Sequence, residues 1–205
     1  MKTGKSHKLK YPTIPAFSMS KYYHPKVVKL PSAKKPVSGK ILIFRGPSGS
    51  GKTTKAQLLE KKFKGKIKVF HFGFERRKRH LGFSVGDKVL LISKLQSKID
   101  SALKKYKVVI LDELFDFEEQ LWAVRENHPH ARILIIYFEL PMEVSIKRAS
   151  TRRKGKHYTP LKEKHIEGLW YLAHFVKCGK VISADGEVKD VLNKVIVFLK
   201  KKGFL

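Results

Sequence analysis

The chain contains the octapeptide Gly46-Pro47-Ser48-Gly49-Ser50-Gly51-Lys52-Thr53, which fits the phosphate-binding pattern G-x-x-x-x-G-K-[ST] of a P-loop. The apolar run 41–44 precedes it and is typical of a short buried strand. Residues 54–63 follow it with the apolar spacing of an amphipathic helix. Because a P-loop joins a strand to a helix in this way, the motif and its surroundings together predict a nucleotide-binding loop.

The glycines and the polar side chains of this loop have separate chemical roles. Glycine lets the backbone curl so that several N–H groups point at phosphate oxygens, and the start of the helix adds a partial positive charge. We expect Lys52 to reach the β- and γ-phosphates as a catalytic residue and Thr53 to offer its hydroxyl to Mg²⁺. The residues predicted to bind ATP are Gly46, Ser48, Gly49, Ser50, Gly51, Lys52, Thr53, Thr54 and Arg153. The expected cofactors are therefore ATP and Mg²⁺, and the alternative is a glycine-rich turn without a ligand.

Length and composition indicate an intracellular domain. A chain of 205 residues with 42% hydrophobic residues is long enough to bury a core of its own. Its only cysteine, Cys178, excludes an intramolecular disulfide and fits a reducing compartment. The longest apolar run, 133–138, is too short to span a bilayer, and the N-terminus has no apolar signal region. We expect the protein in the cytoplasm, nucleoid or nucleus, with no membrane partner.

The charge of the chain predicts a polyanionic partner. Lys and Arg number 45 against 17 Asp and Glu, which gives a formal net charge of +28. A kinase of small metabolites does not need this excess, whereas a protein that binds DNA or RNA gains affinity from each phosphate contact. The alternative is a heat-adapted surface, but that would raise Glu together with Lys, and here acids are few.

Residues 1–40 differ in composition from the rest and are predicted to form a basic N-terminal arm. They hold ten lysines, five prolines and no acid, with aromatic residues interleaved and no helix or strand period. Two interpretations are open. The arm follows a nucleic-acid backbone and stacks its aromatics on bases, or it is a solubilising tail or a strap on the domain surface.

From residue 41 to residue 205 the pattern alternates between strands and helices, which predicts one P-loop kinase domain. The predicted strands are 41–44, 67–72, 108–111, 133–138 and 181–182. The predicted helices are 54–63, 85–106, 115–126, 142–150, 161–176 and 188–199. Such alternation predicts a three-layer α/β/α sandwich around a five-stranded parallel sheet.

The strand 108–111 ends in Asp112 and Glu113, as a Walker B element does. A carboxylate at that place helps to hold Mg²⁺, so we predict Asp112 as a catalytic and metal-binding residue. Its alternative is a turn residue at the end of a strand. Glu113 is open to several interpretations: it positions water, acts as a base, or pairs with a basic residue.

A third carboxylate, Glu75, follows the predicted second strand and opens the basic run 75–80. Ligands of an open parallel sheet bind beyond the carboxyl ends of its strands, so Glu75 is predicted to face the same crevice as the P-loop. There it would accept the proton of an acceptor hydroxyl. The alternative is a solvated charge run in which Glu75 neutralises an arginine.

Residues 147–156 hold six basic residues and no acid. They lie between two predicted helices, where a P-loop kinase carries its helical lid, which we place at about 148–160. Arg148 and Arg152 are predicted to close over the transferring phosphoryl group and to exclude water. The alternative is a helix end rich in solvated lysines.

The order of these features resembles the thymidylate-kinase-like group of P-loop kinases, over residues 40–199. The resemblance rests on the loop with Thr54, the helix 90–103 before the strand 108–112, the segment 138–144 leading to Arg148, and the run 181–186. It implies an ATP-dependent kinase in which the last run lies near the ATP base.

Two departures change the acceptor that the resemblance implies. Thymidylate kinases usually have Asp-Arg at the end of the third strand, where this chain has Asp112-Glu113. They also have an Arg-Glu-Pro element after the second strand, where this chain has the segment 74–77. An acid there is similar to polynucleotide and nucleoside kinases, which phosphorylate a hydroxyl. The leading hypothesis is thus a kinase acting on a hydroxyl of DNA or RNA. Its rivals are a nucleoside-monophosphate kinase of thymidylate type and a nucleic-acid-binding ATPase.

Overall fold

The computed structural model describes residues 39–82, 84–112, 117–152, 161–175 and 178–205. Its five strands are β1 (Gly39–Arg45), β2 (Ile67–His71), β3 (Val108–Asp112), β4 (Ala131–Glu139) and β5 (Lys180–Ser183). Its helices are α1 (Lys52–Lys62), α2 (Phe72–Lys78), α3 (Val85–Lys105), α4 (Glu118–Asn127), α5 (Met142–Ser150), α6 (Glu163–Phe175) and α7 (Val188–Lys201).

The strands form one parallel sheet in the order β2-β3-β1-β4-β5. The predicted five-stranded parallel sheet is therefore confirmed. The first strand lies in the middle of the sheet, and the loop that follows it opens at the carboxyl edge, between β3 and β4. Phe44 and His71 both stand opposite Asp112 in the register, so the ends of β1, β2 and β3 meet at one place.

Two apolar layers hold the sheet between helices. Along β1, Leu42 and Phe44 belong to the core shared with α1 and α7, whereas Ile41 and Ile43 belong to the core shared with α3 and α4. All four side chains are at most 1% exposed. Side chains alternate between the faces of a strand, so this burial on both faces produces the predicted three-layer sandwich.

The structure corrects the predicted end of the second strand. We expected a strand to Phe72 with Glu75 at its end, but β2 ends at His71 and Phe72 begins α2. The Phe72 ring is fully buried in the core beside α3, and the chain turns into a helix as it places this ring. Glu75 therefore lies on a short helix.

Parts of the predictions fall outside the described residues. They are the arm up to residue 38, Glu113, and the lid segment 153–160 with Arg153. Within the described ranges, none of the helices combines the length and apolarity needed to cross a bilayer.

Candidate nucleotide-binding site

The backbone of the loop has the conformation that its glycines permit. Gly46, Gly49 and Gly51 adopt φ angles of 134°, 80° and 74°, in the region that side chains disfavour. A side chain at Gly46 would collide with the carbonyl of Phe138, and one at Gly49 would come within 3.0 Å of the carbonyl of Ser145. The loop is thus packed against β4 and α5 as tightly as glycine allows.

Helix α5 also binds the loop directly. The Ser145 hydroxyl donates a hydrogen bond of 2.6 Å to the Ser48 carbonyl, and both residues are buried. This contact joins two segments separated by 97 positions in the sequence. It fixes the loop before any ligand is bound, which is the preorganisation that a phosphate cradle needs.

The side chain of Lys52 lies over the loop that precedes it. Its Nζ donates to the carbonyls of Gly46 and Pro47 at 2.8 Å each and lies 3.4 Å from Ser50 Oγ. The ammonium group is therefore already held inside the curl of the loop, at the start of α1. A phosphate bound in the loop would therefore lie close to the positive charge of Lys52.

Asp112 and His71 form a buried contact at the carboxyl edge of the sheet. Nδ1 of His71 lies 2.9 Å from Oδ2 of Asp112, and the Asp112 side chain is 4% exposed. The other carboxylate oxygen, Oδ1, is buried without a hydrogen-bond partner in the part of the chain that the structure describes. A buried acceptor without a donor suits a hard cation, so the chemistry of Asp112 Oδ1 fits an oxygen ligand of Mg²⁺.

Thr53, the other predicted metal ligand, lies in the first turn of α1. The described residues contain no cluster of three or more His, Cys, Asp or Glu that would hold a metal alone. Mg²⁺ in general keeps waters and phosphate oxygens as ligands and takes few ligands from a protein.

Helix α2 carries Glu75 and the basic residues next to it. Glu75 pairs with Arg79 one turn later, and its side chain is 20% exposed. Arg76 is buried and donates to the carbonyls of Leu81 and Gly82 at 3.3 Å each. The run is thus not a uniformly solvated patch, because Arg76 fastens the segment that leads into α3.

Arg148 lies at the other side of the loop. Its guanidinium donates to the carbonyl of Ala184 at 2.9 Å and lies 3.6 Å from a carboxylate oxygen of Asp185. It therefore links α5 to the turn between β5 and α7. Arg152 lies two residues beyond the end of α5, at the edge of the described residues.

A protein-family model described as chromatin associated protein KTI12 matches residues 40–170, which is more than half of the 205-residue chain. The chain belongs to the KTI12 family. Comparison with curated protein sequences finds no match.

Solved structures that are similar to this KTI12-family chain include several kinases. The Mycobacterium tuberculosis APS kinase CysC in complex with AMPPNP and APS has a TM-score of 0.59 and 19% identity, covering 81% of this chain and 99% of that one. A sugar kinase from Janibacter sp. HTCC2649 has a TM-score of 0.58 and 14% identity, covering 79% and 95%. A gluconokinase from Sinorhizobium meliloti 1021 has a TM-score of 0.58 and 11% identity, covering 82% and 94%.

At these identities the likeness shows the fold, which is that of a P-loop kinase. The resemblance to thymidylate kinases thus holds at the level of the kinase-like fold, while the family model identifies the KTI12 family.

The KTI12-family chain brings most of the predicted residues to one edge of its sheet. The loop, Lys52, Thr53 and Asp112 stand at the carboxyl ends of β1 and β3, and Glu75 lies just beyond the end of β2. Arg148 is held on the far side by Ala184, so its guanidinium takes part in an anchoring contact rather than pointing free over the loop.

Sequence reasoning missed two groups beside the loop of the KTI12-family chain. His71 contacts Asp112, and a correct end for β2 would have revealed this contact, since the two residues are opposite each other in the register.

The second group is Arg45, which is fully buried and donates to Cys178 Sγ at 3.2 Å, with its guanidinium 5.9 Å from the centre of the Tyr137 ring. Burial raises the pKa of Tyr137 to about 12. No sequence signal marks Arg45, because it ends an apolar strand.

Proposed function

We propose that the protein is an ATP- and Mg²⁺-dependent phosphotransferase that transfers the γ-phosphate to a hydroxyl carried by DNA or RNA. The observation that carries the proposal is Oδ1 of Asp112, which is buried beside the end of the P-loop strand and has no hydrogen-bond partner among the described residues. A preformed loop beside a carboxylate with one oxygen that has no donor among the described residues suits a nucleotide–metal complex.

The residues of the loop would act on the phosphates. The loop N–H groups and Lys52 hold the β- and γ-phosphates, and Lys52 exchanges the carbonyls of Gly46 and Pro47 for phosphate oxygens. Thr53 and Asp112 would hold Mg²⁺, which would supply positive charge to neutralise the charge that develops on the phosphates. Arg152 and Arg153 would close over the transferring group from the lid.

The acceptor hydroxyl needs a group that takes its proton, and Glu75 is our proposal for that base. Glu75 lies on the short helix α2, which begins directly after β2 ends at the carboxyl edge of the sheet. In this structure it is paired with Arg79, so an acceptor would have to approach with that pair intact or displace the arginine.

Two observations favour a nucleic acid as the carrier of the hydroxyl. The net charge of +28 favours a polyanion, and the family model describes its protein as chromatin associated. Two alternatives remain distinct outcomes of the test: a nucleoside-monophosphate kinase of thymidylate type, and a nucleic-acid-binding ATPase in which Glu113 orients water.

The test is transfer from γ-labelled ATP to oligonucleotides, free nucleosides, nucleoside monophosphates and water. We expect labelled oligonucleotide, and we expect Lys52→Ala to lower the rate by at least about 10²–10³-fold, the usual effect of removing one hydrogen-bond donor to a developing charge. The matched control is Lys61→Ala, an exposed lysine on the same helix, which should change nothing.

The acceptor decides between the alternatives. Label on a monophosphate would support the thymidylate-type activity, and label released only as phosphate would support an ATPase. An unchanged rate for Lys52→Ala would mean that the loop is not catalytic.

A further inference from the structure

The amino edge of the sheet, opposite the phosphate loop, carries a concentration of lysines. Residues 61–66, 104–107 and 200–202 together hold ten lysines and no acid, and all ten lysines are exposed. These three segments contain the last residues of α1, α3 and α7 and the residues that follow each helix. We call them together the basic edge.

The fold brings the three segments to one edge. Two of them lead directly into β2 and β3, and parallel neighbouring strands begin at the same side of a sheet. Ile67 stands opposite Val108 in the register, and the Val108 N–H donates 3.1 Å to the Lys66 carbonyl. The third segment is fastened at the start of β1, where Lys40 Nζ donates 2.6 Å to the Gly203 carbonyl. Main-chain contacts therefore fix the segments that carry the lysines.

A small hollow shows that these segments adjoin one another. Its lining consists of Phe63, Lys66, Lys107, Val108 and Leu205. The first two come from the connection before β2, the next two from the start of β3, and the last from the chain after α7. Because adjacent strands are about 5 Å apart, lysines of different segments are neighbours on one surface.

The ends of the helices explain only part of this charge. The negative partial charge at a helix C-terminus favours lysine in the last turn, and α1, α3 and α7 each have two lysines there. That effect does not extend to Lys64, Lys66, Lys107 and Lys202, which lie beyond the helices. Within the described residues, none of the ten lysines forms an ion pair with a carboxylate, and the nearby Glu60 is paired with Lys68.

The opposite edge of the sheet, where the phosphate loop lies, has a mixed charge. Asp112, Glu75 and Asp185 lie there, and each of them contacts a histidine or an arginine. The positive charge of the described domain is thus not spread evenly, because one edge carries lysines without acids among them. An exposed surface of this kind complements a polyanion.

We propose that the basic edge binds the phosphate backbone of a nucleic acid. The inference goes beyond the proposed function, because it needs neither ATP nor phosphoryl transfer. The seven residues of β1 separate this edge from the loop by roughly 20 Å, so a nucleic acid held here leaves the loop open to a nucleotide.

The rival partner for such a surface is an anionic membrane. Stable attachment to a membrane surface generally combines basic residues with an apolar helix face or another apolar anchor. Here three helices meet the surface with their ends, and no exposed large apolar side chain of the described residues belongs to the three segments. Nucleic acid needs no such anchor, since phosphate contacts alone provide affinity.

The test compares two variants of the full-length chain that lose the same number of charges. Their affinity for a fluorescent DNA duplex of about 20 base pairs is measured by anisotropy as a function of salt concentration. The edge variant combines four exposed substitutions: Lys64→Gln, Lys66→Gln, Lys107→Gln and Lys201→Gln. The matched control changes four exposed lysines nearer the middle or start of α3 and α7: Lys94→Gln, Lys98→Gln, Lys189→Gln and Lys194→Gln.

We expect log affinity to fall less steeply with log salt in the edge variant, by about 0.9 for each phosphate contact that is lost. The control should keep a slope close to that of the wild type. A loss of slope in the edge variant no larger than in the control would overturn the inference, because only the total charge would then matter.

Two further measurements separate charge from fold and from the rival partner. Lysine to arginine at the same four positions keeps the charge and should keep the slope, and thermal unfolding curves check that each variant is folded. If the fourfold variant does not fold, Lys64→Gln with Lys201→Gln is compared with Lys94→Gln and Lys194→Gln. Weaker binding of the edge variant to phosphatidylserine vesicles, with duplex binding unchanged, would indicate a membrane and overturn the inference.

The outcome for the basic edge is distinguishable from the outcome for the kinase. Duplex binding that depends on the edge lysines, without transfer to any acceptor, supports the inference and overturns only the proposed function. Transfer to an oligonucleotide, with the same salt slope in the wild type and the edge variant, overturns the inference alone.

Discussion

The two oxygens of the Asp112 carboxylate have different surroundings. His71 occupies Oδ2, and Oδ1 is left without a partner within the described ranges. Groups that hold a metal-binding carboxylate in place commonly matter for affinity, because they fix its orientation. If Asp112 holds Mg²⁺ as proposed, His71 would position its carboxylate rather than act as a metal ligand.

Replacement of His71 tests this role. His71→Ala should weaken Mg²⁺-dependent nucleotide binding by about 10–100-fold, the usual effect of removing such a supporting group. His71→Asn, which can still donate to the carboxylate, should recover part of it. The measurement is nucleotide affinity as a function of Mg²⁺ concentration, by calorimetry or with a fluorescent nucleotide. Nucleotide affinity without metal should be the same in all three proteins, and an unchanged Mg²⁺ dependence would exclude the role.

At this scale the sequence predicts groups that belong to a motif and misses groups that do not. The loop, Lys52 and Asp112 have recognisable neighbours in the chain, and the structure places them at one edge of the sheet. Lys55 looks like any surface lysine of an amphipathic helix. Only the packing of Phe138 and Ser50 around it shows that it is buried.

Helix α2 is the element that the sequence did not predict. The long helices and the central strands carry enough apolar residues to show their period, and the structure confirms them within a few residues. The segment Phe72–Lys78 has no such period, since three of its seven residues are basic. Its helix depends on tertiary contacts, namely the burial of Phe72 and the bonds of Arg76 to Leu81 and Gly82.

The role of Glu75 is testable on this helix. If Glu75 takes the proton of the acceptor hydroxyl, Glu75→Gln should lower kcat by about 10²–10⁴-fold, the usual contribution of a general base, and leave ATP affinity nearly unchanged. Arg79→Met is the matched control, because it breaks the same ion pair while keeping the carboxylate. Equal losses in both variants would show that only the ion pair matters, and that Glu75 stabilises α2 without taking part in transfer.

At the scale of the whole molecule, the net positive charge is much larger than a bound nucleotide could neutralise. The chain carries +28, and one bound nucleotide neutralises only a few of these charges. The basic arm is the most one-sided part of the sequence, since residues 1–38 hold nine lysines and no acid. This imbalance is read directly from the composition of the sequence.

A truncation after residue 38 removes most of the predicted arm and none of the described residues. Truncation after residue 38 keeps the whole of β1, including Lys40, whose Nζ donates 2.6 Å to the carbonyl of Gly203 near the other end of the chain. The loop and the five strands also remain. Any change on truncation should therefore reflect the arm and not the fold, which a thermal unfolding curve would verify.

Oligonucleotide affinity against salt concentration then measures what the arm contributes. If the arm follows a phosphate backbone, log affinity should fall less steeply with log salt in the truncated protein, by about 0.7–0.9 for each phosphate that the arm had neutralised. Nucleotide binding should hardly change, because the loop uses none of those lysines. The same slope in both proteins would make the arm a bystander. If the full-length protein does not bind nucleic acid at modest salt, the thymidylate-type activity is favoured instead, because the net positive charge would then not reflect a nucleic-acid substrate.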